Sequence, residues 1–453
     1  MPPTSIRDGG AAASLAEEDR LPDIAPALRA AARLAGTPAY VVDFATIDAA
    51  GAALQAAFPD PWIRQYSVKA NDVAAVVEAV TAAAAAGANV VSRGEWAIAR
   101  ASGVPNHAIT LEGIGKTDGD LRAAVRASAG GAPLRWVAVE SEEETAALAT
   151  FASRAGLAGA AGAPPVDILL RLNPDVAPET HAGLAVGAGS SKFGMTQSEI
   201  AAAIERARAA DPGLRPRGIH IHVGSQLGAI DAWRDAVRRA LAVLALLRGA
   251  DPAFDTLDLG GGFPVAPLGE PSPTPERFAR ELPALLETIP PDRRPARLAI
   301  EPGRVLVARA GWLVARVLHV RDRGGRQVVI DAGMTELIRP ALYGARHAIV
   351  ALTSLGRDVE PVSAGAAAAG REDLADVHGP ICESTDALGA HPLPPLRRGD
   401  LVAIRDAGAY AASQSSTYNG RPRAAQVVIG RDGRPSVARR RGSLASLGQA
   451  RSR

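Results

Sequence analysis

QYSVKANDVAAVVEAVTAAAAAGANVVS, residues 65–92, runs from a short apolar segment through an Ala-rich amphipathic stretch into a second short apolar segment. That order reads as one strand–helix–strand unit. Segments of the same kind recur: YVVDF, ITLEGI, RWVAVES, DILLRLN, GIHIHVG, LDLGGG and RLAIEPG all lie between about residues 40 and 300. Near-continuous apolar strands alternating with helices indicate parallel βα units, because such strands are buried on both faces. Eight or nine units predict a (β/α)8 barrel, with its site at the C-terminal strand ends. From about Arg304 the texture changes. WLVARVLHVRDRGGRQVVIDAG, DLVAIRDAGAY and AAQVVIGRDGRPSVARR alternate apolar and polar residues around Gly-rich turns, which predicts a second, C-terminal antiparallel β domain.

The expected organisation is an N-terminal extension over 1–35, partly disordered, then a barrel over 36–303 and a β domain over 304–430. An Arg-rich tail over 431–453 is expected to be disordered. ASRAGLAGAAGAPP (152–165) and LGRDVEPVSAGAAAAGRED (355–373) read as surface insertions. The 453-residue length suits two domains. A net charge of +2 lacks the basic excess of a nucleic-acid coat. No apolar run reaches the roughly 18–20 residues of a membrane span. The start has no secretory pattern and there is a single cysteine, so a reducing cytoplasm is expected, without a disulfide framework.

Of 50 lysines and arginines only three are lysines, Lys69, Lys116 and Lys192. A chain with this preference keeps an amine where a guanidinium cannot serve, and a Schiff base requires an amine. Lys69 closes QYSVK at a predicted C-terminal strand end. His220 and His222 close GIHIHVGSQ, one expected to line the site while the other packs. LDLGGGF offers backbone N–H groups suited to a phosphate, and EPGR puts a carboxylate and a guanidinium beside a turn. Other motif readings fail. EGIGKT lacks the first glycine of a P-loop, LGGGFPV lacks the third glycine of a dinucleotide fingerprint, and no spacing suggests a metal site. An amine, a phosphate cradle and a carboxylate on one rim point to pyridoxal phosphate.

VKAN, SRGE, NPDVAPETH with SKFG, HIHVGSQ, LGGGF, EPGR, DAGM followed by RPALY, GPICESTD, GAY and YNGRPR occur in this order. The set resembles the fold-type III pyridoxal-phosphate decarboxylases, and within them the diaminopimelate decarboxylases, over about residues 36–430. The resemblance implies a homodimer with shared active sites that converts meso-2,6-diaminopimelate to L-lysine and CO2. It implies Lys69 as the Schiff-base amine, His222 stacked on the cofactor, and Glu301 on the ring nitrogen. Ser225, Gly261, Gly262, Gly303, Arg304 and Tyr410 would hold the phosphate. Arg304, Arg339, Tyr343 and Tyr410 would bind substrate, with Arg304, Arg339 and Tyr343 at its far carboxylate. Glu383, from the partner subunit, would meet the distal ammonium. Cys382 would return the proton after CO2 loss, with Lys69 as a second candidate donor. A carboxylate at position 301, where alanine racemases use arginine, favours decarboxylation. Another diamino acid as substrate, or a noncatalytic regulatory role, are the alternatives to diaminopimelate.

Overall fold

The structure is a computed structural model describing residues 21–157, 162–177, 180–181, 185–187, 191–210, 212–267, 270–361 and 374–448. Eight parallel strands close into a barrel: β2 (Ile63–Ser67), β3 (Gly87–Val90), β4 (Ile109–Leu111), β5 (Trp136–Val139), β6 (Val166–Arg171), β7 (Leu214–His220), β8 (Thr256–Asp258) and β9 (Arg297–Ile300). Closure is made by β9 on β2, where Ile63 pairs with Ala299 and Arg64 with Ile300. The opening stretch supplies β2, the helix Ala74–Ala83 and β3. That helix buries Val76, Val77, Ala79 and Val80 on one side, the face its apolar spacing dictates. Gly87 begins β3 because a Cβ there would lie 2.1 Å from both the Ala108 carbonyl and Gln65 Oε1.

The barrel strands belong to a compact unit of residues Asp48–Pro264 and Pro273–Leu306. A second unit comprises the described parts of Met1–Ile47, Val265–Ser272 and Val307–Arg453. Its main sheet has nine strands and is mostly antiparallel, with two parallel pairings, Ala39–Asp43 on Ala425–Ile429 and Arg326–Ile330 on Leu374–His378.

Three expectations differ from the structure here. YVVDF is not a barrel strand: β1 (Ala39–Asp43) lies between Gly311–Asp322 and Ala425–Ile429 in the second sheet. All five of its residues are buried, and a central strand covered on both faces gives the same apolar run in either kind of sheet. Its cover is the helix Leu21–Ala35, which occupies the described part of the expected extension. Leu21, Ala25 and Leu28 of that helix share a core with Val41, Trp312 and Val427. The tail is also ordered in part, because Pro435–Arg439 pairs antiparallel with Ala425–Ile429. Its hairpin turn is set by Asp432, whose Oδ1 accepts the Arg434 N–H at 3.1 Å, and by Gly433 at φ +76°. The centres of both expected insertions, and residues 1–20 and 449–453, lie outside the described residues.

Candidate active site

β2 runs into a single 3-10 turn, Val68–Ala70, which ends where Asn71 returns to extended backbone. Lys69 sits on this turn, half-buried. The turn is tied to the end of β9. Ser67 N–H donates to the Pro302 carbonyl at 3.0 Å, and Ser67 Oγ donates to the Glu301 carbonyl at 3.2 Å. The candidate amine and the candidate carboxylate are thus held by one backbone junction.

His220 is the last residue of β7 and His222 lies just beyond it, and the two sit at different depths. His220 is fully buried, with Nε2 3.3 Å from Glu301 Oε1 and 3.6 Å from Glu112 Oε2. His222 is half-buried at the rim, and its Nδ1 accepts the Gly261 N–H at 3.1 Å. Nδ1 therefore carries no proton. Burial, then the charges of Lys69, Arg171 and His220, hold the His222 ring well below the usual histidine range, so it is neutral at pH 7.

The glycines of LDLGGGF are required by close approach. A Cβ on Gly260 would lie 2.4 Å from the Ile221 carbonyl, and on Gly261 2.4 Å from the Glu301 carbonyl. Gly262 has φ +100°, and its Cβ would lie 2.5 Å from the Gly224 carbonyl. Beside this turn, buried Arg304 donates from Nη2 to Ser225 Oγ at 3.2 Å. Gly303 lies between Glu301 and Arg304 and accepts the Leu306 N–H through its carbonyl. The barrel unit thus brings Lys69, His222, Ser225, Gly261, Gly262, Glu301, Gly303 and Arg304 to its C-terminal strand ends.

The other expected residues lie in the second unit. Arg339 is buried at the start of the short helix Arg339–Tyr343, its guanidinium carbon 5.9 Å from the Tyr343 ring centre. Cys382 and Glu383 are exposed, and Glu383 Oε1 accepts Tyr418 Oη at 2.5 Å. Asp386 shapes their loop, accepting N–H groups of Ile381 at 2.7 Å and Met334 at 2.5 Å. Tyr410 adopts φ +57°, a left-handed conformation uncommon for a tyrosine.

Sequence reasoning missed several polar residues that close or follow barrel strands. Glu112, one residue past β4, accepts from Asn89 Nδ2 at 2.9 Å, and burial together with the Glu301 charge pushes its carboxyl up to about 8. Burial drives His220 down to about 4. Asp258 ends β8 with its carboxyl held well above the usual range by burial and by Glu301 and Glu112; its Oδ1 accepts the Gly260 N–H at 2.9 Å. Glu140, after β5, pairs with Arg171 at the end of β6 and accepts the Gly194 N–H at 3.0 Å. The usable signal was a charged or carboxyl residue at the end of each apolar run, as in ITLE, WVAVE, ILLR and TLD.

Residues 44–308 match the family model of the pyridoxal-dependent decarboxylase, pyridoxal binding domain. The chain is similar to diaminopimelate decarboxylase of Aquifex aeolicus, 34% identical over 405 residues that cover 89% of each chain. It is similar to that of Pseudomonas aeruginosa at 36% identity, covering 89% of this chain and 90% of the relative. Among solved structures, diaminopimelate decarboxylase of Helicobacter pylori complexed with L-lysine superimposes with a TM-score of 0.78 at 29% identity, covering 91% of this chain and 95% of that one. The chain belongs to the diaminopimelate decarboxylases, a branch of the fold-type III pyridoxal-dependent decarboxylase family.

Proposed function

We propose that this carboxy-lyase converts meso-2,6-diaminopimelate to L-lysine and CO2, using pyridoxal 5′-phosphate, as a cytoplasmic homodimer. The observation that carries the reading is Glu301. Its carboxylate is buried one residue past β9, on the junction that also holds the Lys69 turn, and among the described residues its Oε1 accepts no well-aligned hydrogen bond, with His220 Nε2 3.3 Å away. A buried acceptor in that state is costly unless a ligand donor fills it. A protonated pyridine nitrogen is such a donor. The residues fit the rest of the group too: Ser225, Arg304 and the Gly262 backbone suit a phosphate, Gly261 keeps the turn free of a Cβ while its N–H holds His222, and Lys69 supplies the amine that an aldehyde needs.

When bound, pyridoxal phosphate supplies a ring that accepts the electron pair released as CO2 departs. The chain's own groups do the rest. Lys69 would hold the group through its amine, the one nucleophile on this turn suited to an aldehyde. Glu301 keeps a proton at the ring nitrogen, which sustains electron withdrawal. His222, neutral and fixed through Nδ1, offers a flat face for stacking. Gly303 sets the turn that carries Arg304, and Tyr410 adds a hydroxyl for the phosphate or substrate. Arg339 and Tyr343 read the substrate's far carboxylate, with Arg304 assisting, because a guanidinium fork binds a carboxylate by two directed bonds. Glu383 meets the distal ammonium from the partner subunit. Cys382 or Lys69 returns a proton to the carbon that lost CO2.

The deciding experiment is CO2 release from meso-diaminopimelate, lysine, ornithine and arginine. Release from diaminopimelate alone is expected. Release from ornithine or arginine without diaminopimelate turnover would replace the reading with another diamino-acid decarboxylase.

A further inference from the structure

Below the rim, four titratable side chains from four strand ends meet without solvent: Glu112, His220, Asp258 and Glu301, each at most 4% exposed. The donor atoms of Glu112, His220 and Glu301 all lie within 4.8 Å of one another. Two carboxyls this close in a dry site cannot both be ionised, so they hold a proton between them. A cation on Glu301 stabilises the anion there and sends that proton to Glu112.

We propose that Glu112 is a positioning residue, a buried neutral acid that keeps Glu301 ionised and aimed at the cofactor's ring nitrogen, with His220 as the neutral spacer between them. The inference rests on the reading of Glu301 as the partner of that nitrogen. Burial and the neighbouring Glu301 favour the neutral form of Glu112, and they outweigh two N–H donors that favour its carboxylate: Asn89 Nδ2 donates to one oxygen at 2.9 Å and Trp136 Nε1 to the other at 3.5 Å. Glu301 raises its proton affinity, while Lys69 and His220 lower it by less than burial raises it. Asp258 adds another carboxyl, itself driven toward the neutral acid. Arg171, Glu140 and Lys116 act on His220, whose ring stays uncharged at pH 7. A neutral imidazole has one N–H, and Nε2 faces both carboxyls, so His220 can satisfy only one at a time. The acid proton of Glu112 is the second donor the pair needs.

The test uses the full-length protein, both cofactor-free and loaded. Infrared difference spectra of wild type against Glu112→Gln should show a protonated-carboxyl C=O band at pH 7 that the variant lacks. In the cofactor-free protein that band should titrate away near pH 8, the value burial sets for Glu112. Carboxylate bands alone at pH 7 would overturn the proposal. In the loaded enzyme, Glu112→Leu removes the donor and should lower kcat about tenfold or more, the scale of one hydrogen bond to a charged group, with KM unchanged. Glu112→Gln keeps an N–H donor and should retain most of kcat. Equal kcat for the Leu and Gln variants would also overturn it, and if the Leu variant does not fold, the infrared result decides. Glu301→Gln separates the two readings. Wild-type kcat in Glu301→Gln removes the role of Glu301, whereas loss there with a normal Glu112→Leu enzyme removes only that of Glu112.

Discussion

Lys116 is the second of the three lysines, and its side chain is fully buried, 2.9 Å from Glu144 Oε1. Its ammonium also donates to the Gly113 carbonyl. Glu144 Oε2 meanwhile accepts the Glu140 N–H at 2.8 Å, so the pair fastens the loop after β4 to the helix Glu142–Arg154 that follows β5. Lys116→Met keeps the length of the stem and deletes the charge, leaving Glu144 buried alone. Breaking a buried pair this way costs about 3–5 kcal/mol. Protonation sets a ceiling. Neutralising a glutamate of ordinary pKa about 4.3 costs about 3.7 kcal/mol at pH 7 and about 1 kcal/mol at pH 5, at 1.36 kcal/mol per pH unit. Burial already raises the Glu144 carboxyl, so the unpaired group takes the protonated route. With the lost bond to Gly113 adding about 1 kcal/mol, the expected destabilisation is about 4–5 kcal/mol at pH 7 and about 2 kcal/mol at pH 5. The pH dependence carries the sign. A carboxyl whose folded pKa is raised costs nothing below its unfolded pKa and progressively more as pH rises toward the folded value. Amide hydrogen exchange on peptides covering 109–116 and 136–144 reads the loss on the barrel itself. Lys116→Met/Glu144→Gln should recover most of it. A loss under about 0.5 kcal/mol at pH 7, or one equal at both pH values, would refute a buried, coupled pair.

Lys69→Ala and Lys69→Arg should both abolish turnover and leave no cofactor attached after borohydride reduction, read by mass; an active Arg variant would show that the amine is dispensable. Lys69→Ala and Cys382→Ala, each inactive, should recover about a quarter of wild-type sites when mixed with free subunit exchange, by the symmetry of an isologous dimer; no recovery would place Cys382 in its own chain's site. Arg339→Lys keeps the charge and loses the planar fork, so kcat/KM for diaminopimelate should fall at least about tenfold, while the absorption of the bound cofactor stays unchanged. Glu112 is neutral when folded up to about pH 8 but ionises near pH 4.5 when unfolded. Its contribution to stability is therefore present below about pH 4.5 and lost as pH rises to about 8, so Glu112→Gln should gain on wild type in chemical denaturation across that window.

The barrel was legible because each of its strands is an apolar run followed by a helix or turn, and the same rule misassigned YVVDF. Two-sided burial produces a run of that kind whether the cover is a ring of helices or one helix such as Leu21–Ala35 over a sheet. Strand partners are long-range facts. Nothing inside residues 39–43 specifies that they pair with 311–314 and 425–429. The hairpin at Asp432–Gly433 was, by contrast, written locally: AAQVVIGRDGRPSVARR alternates around a Gly-containing turn, against the disorder that the Arg-rich composition of the tail suggests.

The site divides along the same line. Lys69, the glycines and EPGR were readable because each answers a local requirement: an amine among arginines, backbone contacts that no Cβ fits, a turn after a strand. Glu112, Asp258 and Glu140 were not, because a carboxylate at the end of an apolar run usually marks the return to solvent. Here closure of the barrel turns those ends toward one another instead of outward, and Glu112 and Asp258 end up at most 3% exposed. Solvation that an open strand end would retain is replaced by Asn89, His220 and the Gly260 N–H. Loss of water and the neighbouring carboxyls raise the proton affinity of both acids together, by more than these partners lower it, which links the fold to the chemistry: the shape that gathers the rim also supplies the neutral acids under Glu301. A chain with the same motifs in an unclosed sheet would keep Lys69 and the phosphate turn but lose the protonated floor.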